Sequence, residues 1–185
     1  MDQVKLLNKL SKALTKMEVI QIAKDQSCRP LKLLNLSLYP EHEIAFRAAW
    51  VLEQFLYYRL DDLVEILPEY FSAYSMQKNP SCQRHLSKIL IGLTDKGSAE
   101  KVKAGLSQYQ DQIIENTFDW LINPETPVAV KANCMDILLY FTKENLWIAE
   151  ELQFQVQFLL KNSSAALQSR GKRVLKKIKT SYNVL

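Results

Sequence analysis

The sequence predicts an all-α fold, a right-handed α-α superhelix of paired helices, and three observations carry that expectation. Glycine and proline are scarce, 4 and 6 among 185 residues, so a sheet-rich chain would lack its turns. Apolar residues recur at spacings of three and four through most of the chain. Finally, one helical phrase appears four times, opening at Glu43, Ser81, Val128 and Leu167. With Ala48, Leu86, Ala132 and Gly171 in register, the spacings are 38, 46 and 39, near the period of about 40–47 residues of two-helix solenoid repeats. The anchors then align as Ile44/Cys82/Val128/Leu167, Val51/Ile89/Met135/Val174 and Phe55/Leu93/Leu139/Ile178. A basic or ionisable side chain precedes the aligned position each time: Arg47, His85, Lys131 and Arg170. The whole chain, 1–185, is expected to form one domain, with irregular helices over 1–39 and repeats from about 40 onward.

Each element follows from local signals. Val4, Leu7, Leu10 and Leu14 mark a one-faced helix over 2–14, and a short helix over 16–24 comes next. Prolines at 30 and 40 bound a leucine-rich segment that fits either period and is read as a short helix by context. Residues 41–59 form the first helix of a repeat, with Ile44, Ala48, Val51, Leu52 and Phe55 inward. Asp61 is expected to cap the second helix, with Pro68 bending it or ending its first part. Asn79-Pro80-Ser81 opens the next first helix. Ser98 is expected to cap one long helix reaching Ile122, whose extra length accounts for the 46-residue spacing. Thr126-Pro127 is a start signal, and helices at about 128–143, 148–161 and 164–180 complete the chain. No pair can bury its apolar face alone, so neighbours must stack.

The repeated phrase resembles HEAT and armadillo repeats. More closely, Arg47-Ala-Ala-Trp-Val-Leu-Glu53, Phe118-Asp-Trp-Leu-Ile122, Val130-Lys-Ala132 and the segment from Ser164 to Ile178 are similar to a family of small bacterial HEAT-like proteins. The resemblance covers the chain from about residue 40 and implies a fold without an activity. Members of that family are sometimes labelled adenylosuccinate lyase. A lyase of that class is much longer and carries a serine loop of the form Ser-Ser-x-Met-Pro-x-Lys-x-Asn-Pro, which is missing here; the Asn79-Pro80 and Asn123-Pro124 steps lack its upstream half.

Composition narrows the function classes. With 48% hydrophobic and 24% charged residues, the chain reads as an ordinary soluble protein. Cys28, Cys82 and Cys134 have no Cys-x-x-Cys spacing, so they read as buried small hydrophobes in a reducing compartment, and a cytoplasmic location is expected. No apolar run approaches the ~20 residues of a membrane span, and no membrane partner is expected. Neither a phosphate-binding glycine loop nor a nucleophile or zinc motif is present. His42 and His85 stand apart from other ligand-type side chains. No catalytic residue, metal or cofactor is therefore expected. The acidic row Asp61, Glu65 and Glu69 is read as a solvated helix face.

The remaining candidates are for interaction. Arg47, Lys131 and Arg170 belong to the basic ladder, for which bridging of adjacent repeats is the first reading and ligand binding the second. The last helix separates its faces. At 100° per residue from Arg170, Leu167, Gly171, Val174, Leu175 and Ile178 lie at about 40–140°, while Arg170, Lys172, Arg173, Lys176, Lys177 and Lys179 lie at about 180–360°. That basic face is either a soluble cap of the repeat stack or a docking site for nucleic acid or an acidic protein. Trp120 and Trp147, near helix ends, are candidate partner anchors. The leading expectation is a non-enzymatic scaffold with a protein partner; nucleic-acid binding through the last helix is the alternative. An enzyme of the lyase label is the remote one.

Overall fold

The computed structural model describes residues 1–95, 100–143 and 145–182. Among them are twelve helices and no strand. The helices are α1 (Gln3–Leu10), α2 (Lys16–Lys24), α3 (Pro30–Leu36), α4 (His42–Tyr58), α5 (Leu60–Val64), α6 (Leu67–Met76), α7 (Pro80–Thr94), α8 (Glu100–Gln108), α9 (Gln110–Ile122), α10 (Val128–Phe141), α11 (Leu146–Leu160) and α12 (Ala165–Tyr182). The chain divides into two compact units, Met1–Tyr109 and Gln110–Leu185.

In the first unit α4 is the central post, with α1, α2, α3, α5 and α7 packed around it. Its helix is built for this: Ala45, Ala48 and Ala49 are small and fully buried, and Ala45 and Ala49 meet Cys82 of α7. Such side chains let helix axes approach closely, and the larger Val51, Leu52 and Phe55 fill the layer beyond them. Local signals set the boundaries. Asp2 accepts the Lys5 amide at 2.8 Å, Thr15 and Glu18 form a reciprocal capping box at the start of α2, and Asn79 caps α7 through the Ser81 amide, each satisfying an otherwise orphaned donor. Buried Gln77 ties three elements together, donating to the Ser37 carbonyl while its own carbonyl accepts from Gln83 Nε2 at 3.0 Å.

In the second unit α10 is the post, contacted by α9, α11 and α12, with α11 also against α12. Gly171 sits where α12 crosses α11. A Cβ there would lie 2.8 Å from Leu160 Cδ2 and 3.0 Å from Val156 Cγ1, so the missing side chain permits the close crossing.

Five expectations are corrected. The first helix stops at Leu10 and buries Leu6 and Leu10, while Val4 faces water at 69% exposure. Asp61 caps nothing: it lies inside the short α5, and Pro68 lies in the first turn of α6, where a proline's missing N–H has no intrahelical partner to lose. The segment drawn as one helix to Ile122 is two, α8 and α9, meeting at Tyr109; its expected cap, Ser98, lies outside the described residues. The acidic row Asp61, Glu65 and Glu69 is exposed at all three positions, as expected of a solvated row, but it does not lie on one helix: it is divided between α5, α6 and the residues joining them.

The fifth correction concerns the repeat register. Val128 is 42% exposed and Ala132 is only half-buried, whereas Val130, Cys134, Ile137 and Phe141 are buried. These match Cys82, Leu86, Ile89 and Leu93 before them and Leu167, Gly171, Val174 and Ile178 after them, all buried. Cys134 therefore takes the place given to Ala132, and the spacings become 38, 48 and 37. The first residues after Pro127 form a solvated helical turn before α10 meets its neighbours, which displaces the pattern by two.

Candidate interaction surface

The basic ladder consists of internal braces. Arg47 donates through Nη1 to the Leu10 carbonyl at 3.0 Å, at the C-terminal end of α1 where helix carbonyls lack partners, and through Nη2 to Glu43 at 2.6 Å. Arg170 pairs with Asp136 of α10, which also accepts from Arg173 at 2.8 Å. In the corrected register the third rung is Asn133, and Lys131 aligns with Gln83 instead. Lys131 is buried at 8% exposure, so it does not line an open cationic stripe.

His85 is the rung with the most chemical character. Its Nδ1 lies 2.5 Å from Glu53 Oε2, both residues are buried, and Lys88 reaches the other carboxylate oxygen at 3.3 Å. Phe46 lies against the imidazole at 5.4 Å between ring centroids and stacks on Trp50 in turn. Burial alone would raise the Glu53 carboxyl. The hydrogen bond from His85 and the charges of His85 and Lys88 outweigh it, and the group sits below its ordinary range. The arrangement crosses from α4 to α7 and pins them together.

Arg59, which the sequence reading passed over, is the other internal charge. Its Nη1 donates to the Asp25 and Cys28 carbonyls, both at 2.8 Å, and its Nε meets Asp62. Its guanidinium also lies over the Phe55 ring at 4.7 Å. One planar fork thus closes the α2–α3 connection onto the end of α4. The cysteines are buried: burial pushes the Cys28 thiol up to about 11 and Cys82 to about 12, and raises Cys134 further. Among the described residues no group of three or more His, Cys, Asp or Glu side chains has the arrangement of a metal site, and no helix is long and apolar enough to cross a membrane.

What reaches solvent is sorted by charge in the second unit. α12 carries Arg170, Lys172, Arg173, Lys176, Lys177 and Lys179 and no carboxylate. Lys172, Lys176, Lys177 and Lys179 are exposed, while Arg170 and Arg173 share Asp136. α9 and α11 are the reverse, with Asp111, Glu115 and Asp119 on one, Glu150 and Glu151 on the other, and no lysine or arginine on either.

The two tryptophan candidates separate. Trp120 is 7% exposed, a core residue of α9, which corrects its reading as a partner anchor. Trp147 is 55% exposed at the start of α11, and Phe118 of α9 stacks on it at 6.2 Å. Phe154 and Phe158, both 62% exposed, continue from Trp147 along α11. At 100° per residue these three fall within about 40° of one another. The opposite face of α11 buries Ile148, Ala149, Leu152 and Val156. The sequence held half of the signal, apolar residues on two opposite sides of the helix; that only one side is covered is given by the packing.

The chain matches the model of the HEAT repeat domain over residues 4–178. Among solved structures, the crystal structure of an engineered protein is similar, with a TM-score of 0.52 at 14% identity, covering 97% of this chain and 99% of that one. This likeness concerns the fold alone. No curated protein matches the chain.

Proposed function

The chain belongs to the HEAT repeat domain family, and from that premise we propose that it is a non-enzymatic scaffold whose work is to hold a protein partner. One observation carries the reading: the side chains best suited to chemistry are engaged in holding helices together. His85 is fixed by Glu53, Arg47 by a helix end and Glu43, Arg59 by backbone carbonyls, and the thiols are buried. The exposed charge and aromatic surface of the second unit is what remains for recognition, and helical repeats present extended surfaces suited to that. Crosslinking in native lysate, followed by identification of what the chain is joined to, tests the reading. A discrete protein recovered in stoichiometric amount is expected, and a chain recovered alone would overturn it.

The exposed lysines of α12 favour a second reading, in which the basic helix holds nucleic acid. Anisotropy titration with mixed-sequence DNA and RNA at two salt concentrations tests it. Binding that weakens with salt and is lost on replacing Lys172, Lys176 and Lys177 by Glu would support it, because each neutralised phosphate contributes to the salt slope. Affinity unchanged by the triple replacement would remove it.

A further inference from the structure

The uncovered side of α9 and α11 combines two features that seldom coincide without a partner, aromatic rings in water and two helices that carry carboxylates and no lysine or arginine; Lys161, just past the end of α11, lies over the Phe158 ring at 5.7 Å and marks the cationic end of the line. We infer that this face of the second unit docks one amphipathic helix with a basic polar side, contributed by another protein; the inference rests on the scaffold reading above. Trp147, Phe154 and Phe158 form the apolar line along α11, with Phe118 joining it to α9. The line runs over twelve residues, or about 17 Å at 1.5 Å per residue, three turns of a partner helix. Exposed carboxylates border it: Glu115 and Asp119 stand on α9 beside Ile122, itself 51% exposed, and Glu150 stands on α11. A helix that buries its apolar side chains on the rings therefore brings its flanking residues to carboxylates, and lysine or arginine is the matching choice.

The same charges argue against other occupants. Phosphate backbones and anionic lipid surfaces are repelled by five carboxylates without a cation on α9 and α11. A second copy of the chain offers the basic α12, but its apolar side, Leu167, Gly171, Val174 and Ile178, is already buried within its own unit. Area points the same way. Aromatic side chains offer about 150–250 Å² each, so three rings slightly over half exposed leave roughly 350 Å² to cover, a helix-sized contact and well short of the ~800 Å² per partner of a standard stable interface.

The test uses the full chain and two fluorescein-labelled synthetic peptides of about five turns, one with a leucine stripe and lysine elsewhere, the other with the same stripe and glutamate elsewhere. Anisotropy is expected to show binding of the Leu/Lys peptide and at least roughly tenfold weaker binding of the Leu/Glu peptide. The double variant F154S/F158S is expected to lose roughly tenfold or more for the Leu/Lys peptide, and E115Q/D119N a smaller factor of about three to five, with circular dichroism unchanged in both. Equal binding of the two peptides, or binding indifferent to F154S/F158S, overturns the inference. A wild-type dimer in sedimentation equilibrium that F154S/F158S converts to monomer would also overturn it, assigning the face to a second copy. So would flotation of the chain with phosphatidylserine vesicles that the same variant abolishes. Lysate crosslinking that still finds a stoichiometric protein partner would leave the scaffold reading intact while the dock on α9 and α11 fails, so the two are separable.

Discussion

The first unit buries several charged side chains in bonded pairs and forks, whereas the second lays most of its charge on the surface. Glu53, His85 and Arg59 are buried and each joins elements distant in sequence: α4 to α7, and the α2–α3 connection to the end of α4. In the second unit the six cations of α12 and the five carboxylates of α9 and α11 stand on different helices, and the ion pairs that α12 makes, Arg170 and Arg173 with Asp136 of α10, remain partly open to water. The difference teaches what each arrangement is good for. A buried, fully bonded charge is costly to disturb and fixes geometry. An exposed charge contributes little to stability and is free to choose partners.

The comparison breaks first, if it breaks, at Arg59. Arg59→Ala removes the donor to the buried Cys28 carbonyl and to Asp62, and one of the two donors to the Asp25 carbonyl, and is expected to cost about 3–5 kcal/mol in urea unfolding; Arg59→Lys should recover only part, because an ammonium cannot reproduce the fork. A loss under about 1 kcal/mol would mean that the inward charge is ornamental. Next comes Glu53→Gln, expected to cost about 2–3 kcal/mol near neutral pH by weakening the bonds to His85 and Lys88. The folded Glu53 carboxyl lies below its ordinary value of 4.5, so its contribution is fully present above the unfolded value and is lost as pH falls through the folded one. Parallel stability curves of wild type and variant should therefore converge on acidification below about pH 4.5, and divergence would refute the assignment.

Effects in the second unit should be smaller. Asp136→Asn is expected to cost about 1 kcal/mol, discounted because Arg170 and Arg173 can still reach water, and the thermal midpoint measures it. Smallest of all, F154S/F158S should move stability by no more than about 0.5 kcal/mol. A larger loss would place these rings in the fold rather than on its surface and would sharpen the comparison against the second unit.

The fold was legible where one signal controlled each choice. The boundaries of α2 and the start of α7 follow from local residues, and α4 announces itself by its alanines and Phe55. The register in α10 was not, because Ala132 and Cys134 are both small and apolar and two residues apart; only the distance needed for the chain to turn inward after Pro127 separates them. Lys131 was misassigned for the same reason. The break at Tyr109 was hidden in a segment whose two halves both carry helical periodicity. Arg47, His85 and Arg170 were singled out by position, yet their partners, Leu10, Glu53 and Asp136, lie 37, 32 and 34 residues away, and no local pattern joins such pairs. Phe154 and Phe158 escaped, although Trp147 did not, because a helix with apolar residues on two opposite sides gives no preferred face until its neighbours are known.

The depth of the three thiols gives the molecule a set of internal clocks. Cys28 lies in the α2–α3 connection, Cys82 on α7 and Cys134 on α10, all with thiols held well above neutrality by burial, and alkylating reagents attack the thiolate. Labelling in the native state therefore waits for the polypeptide to open around each one, and its rate records how often that happens. If Cys28 and Cys82 react in step while Cys134 keeps its own time, the two units breathe independently, and a partner held by the second need not be felt by the first. A single shared rate would instead mean that the repeats open as one cooperative body.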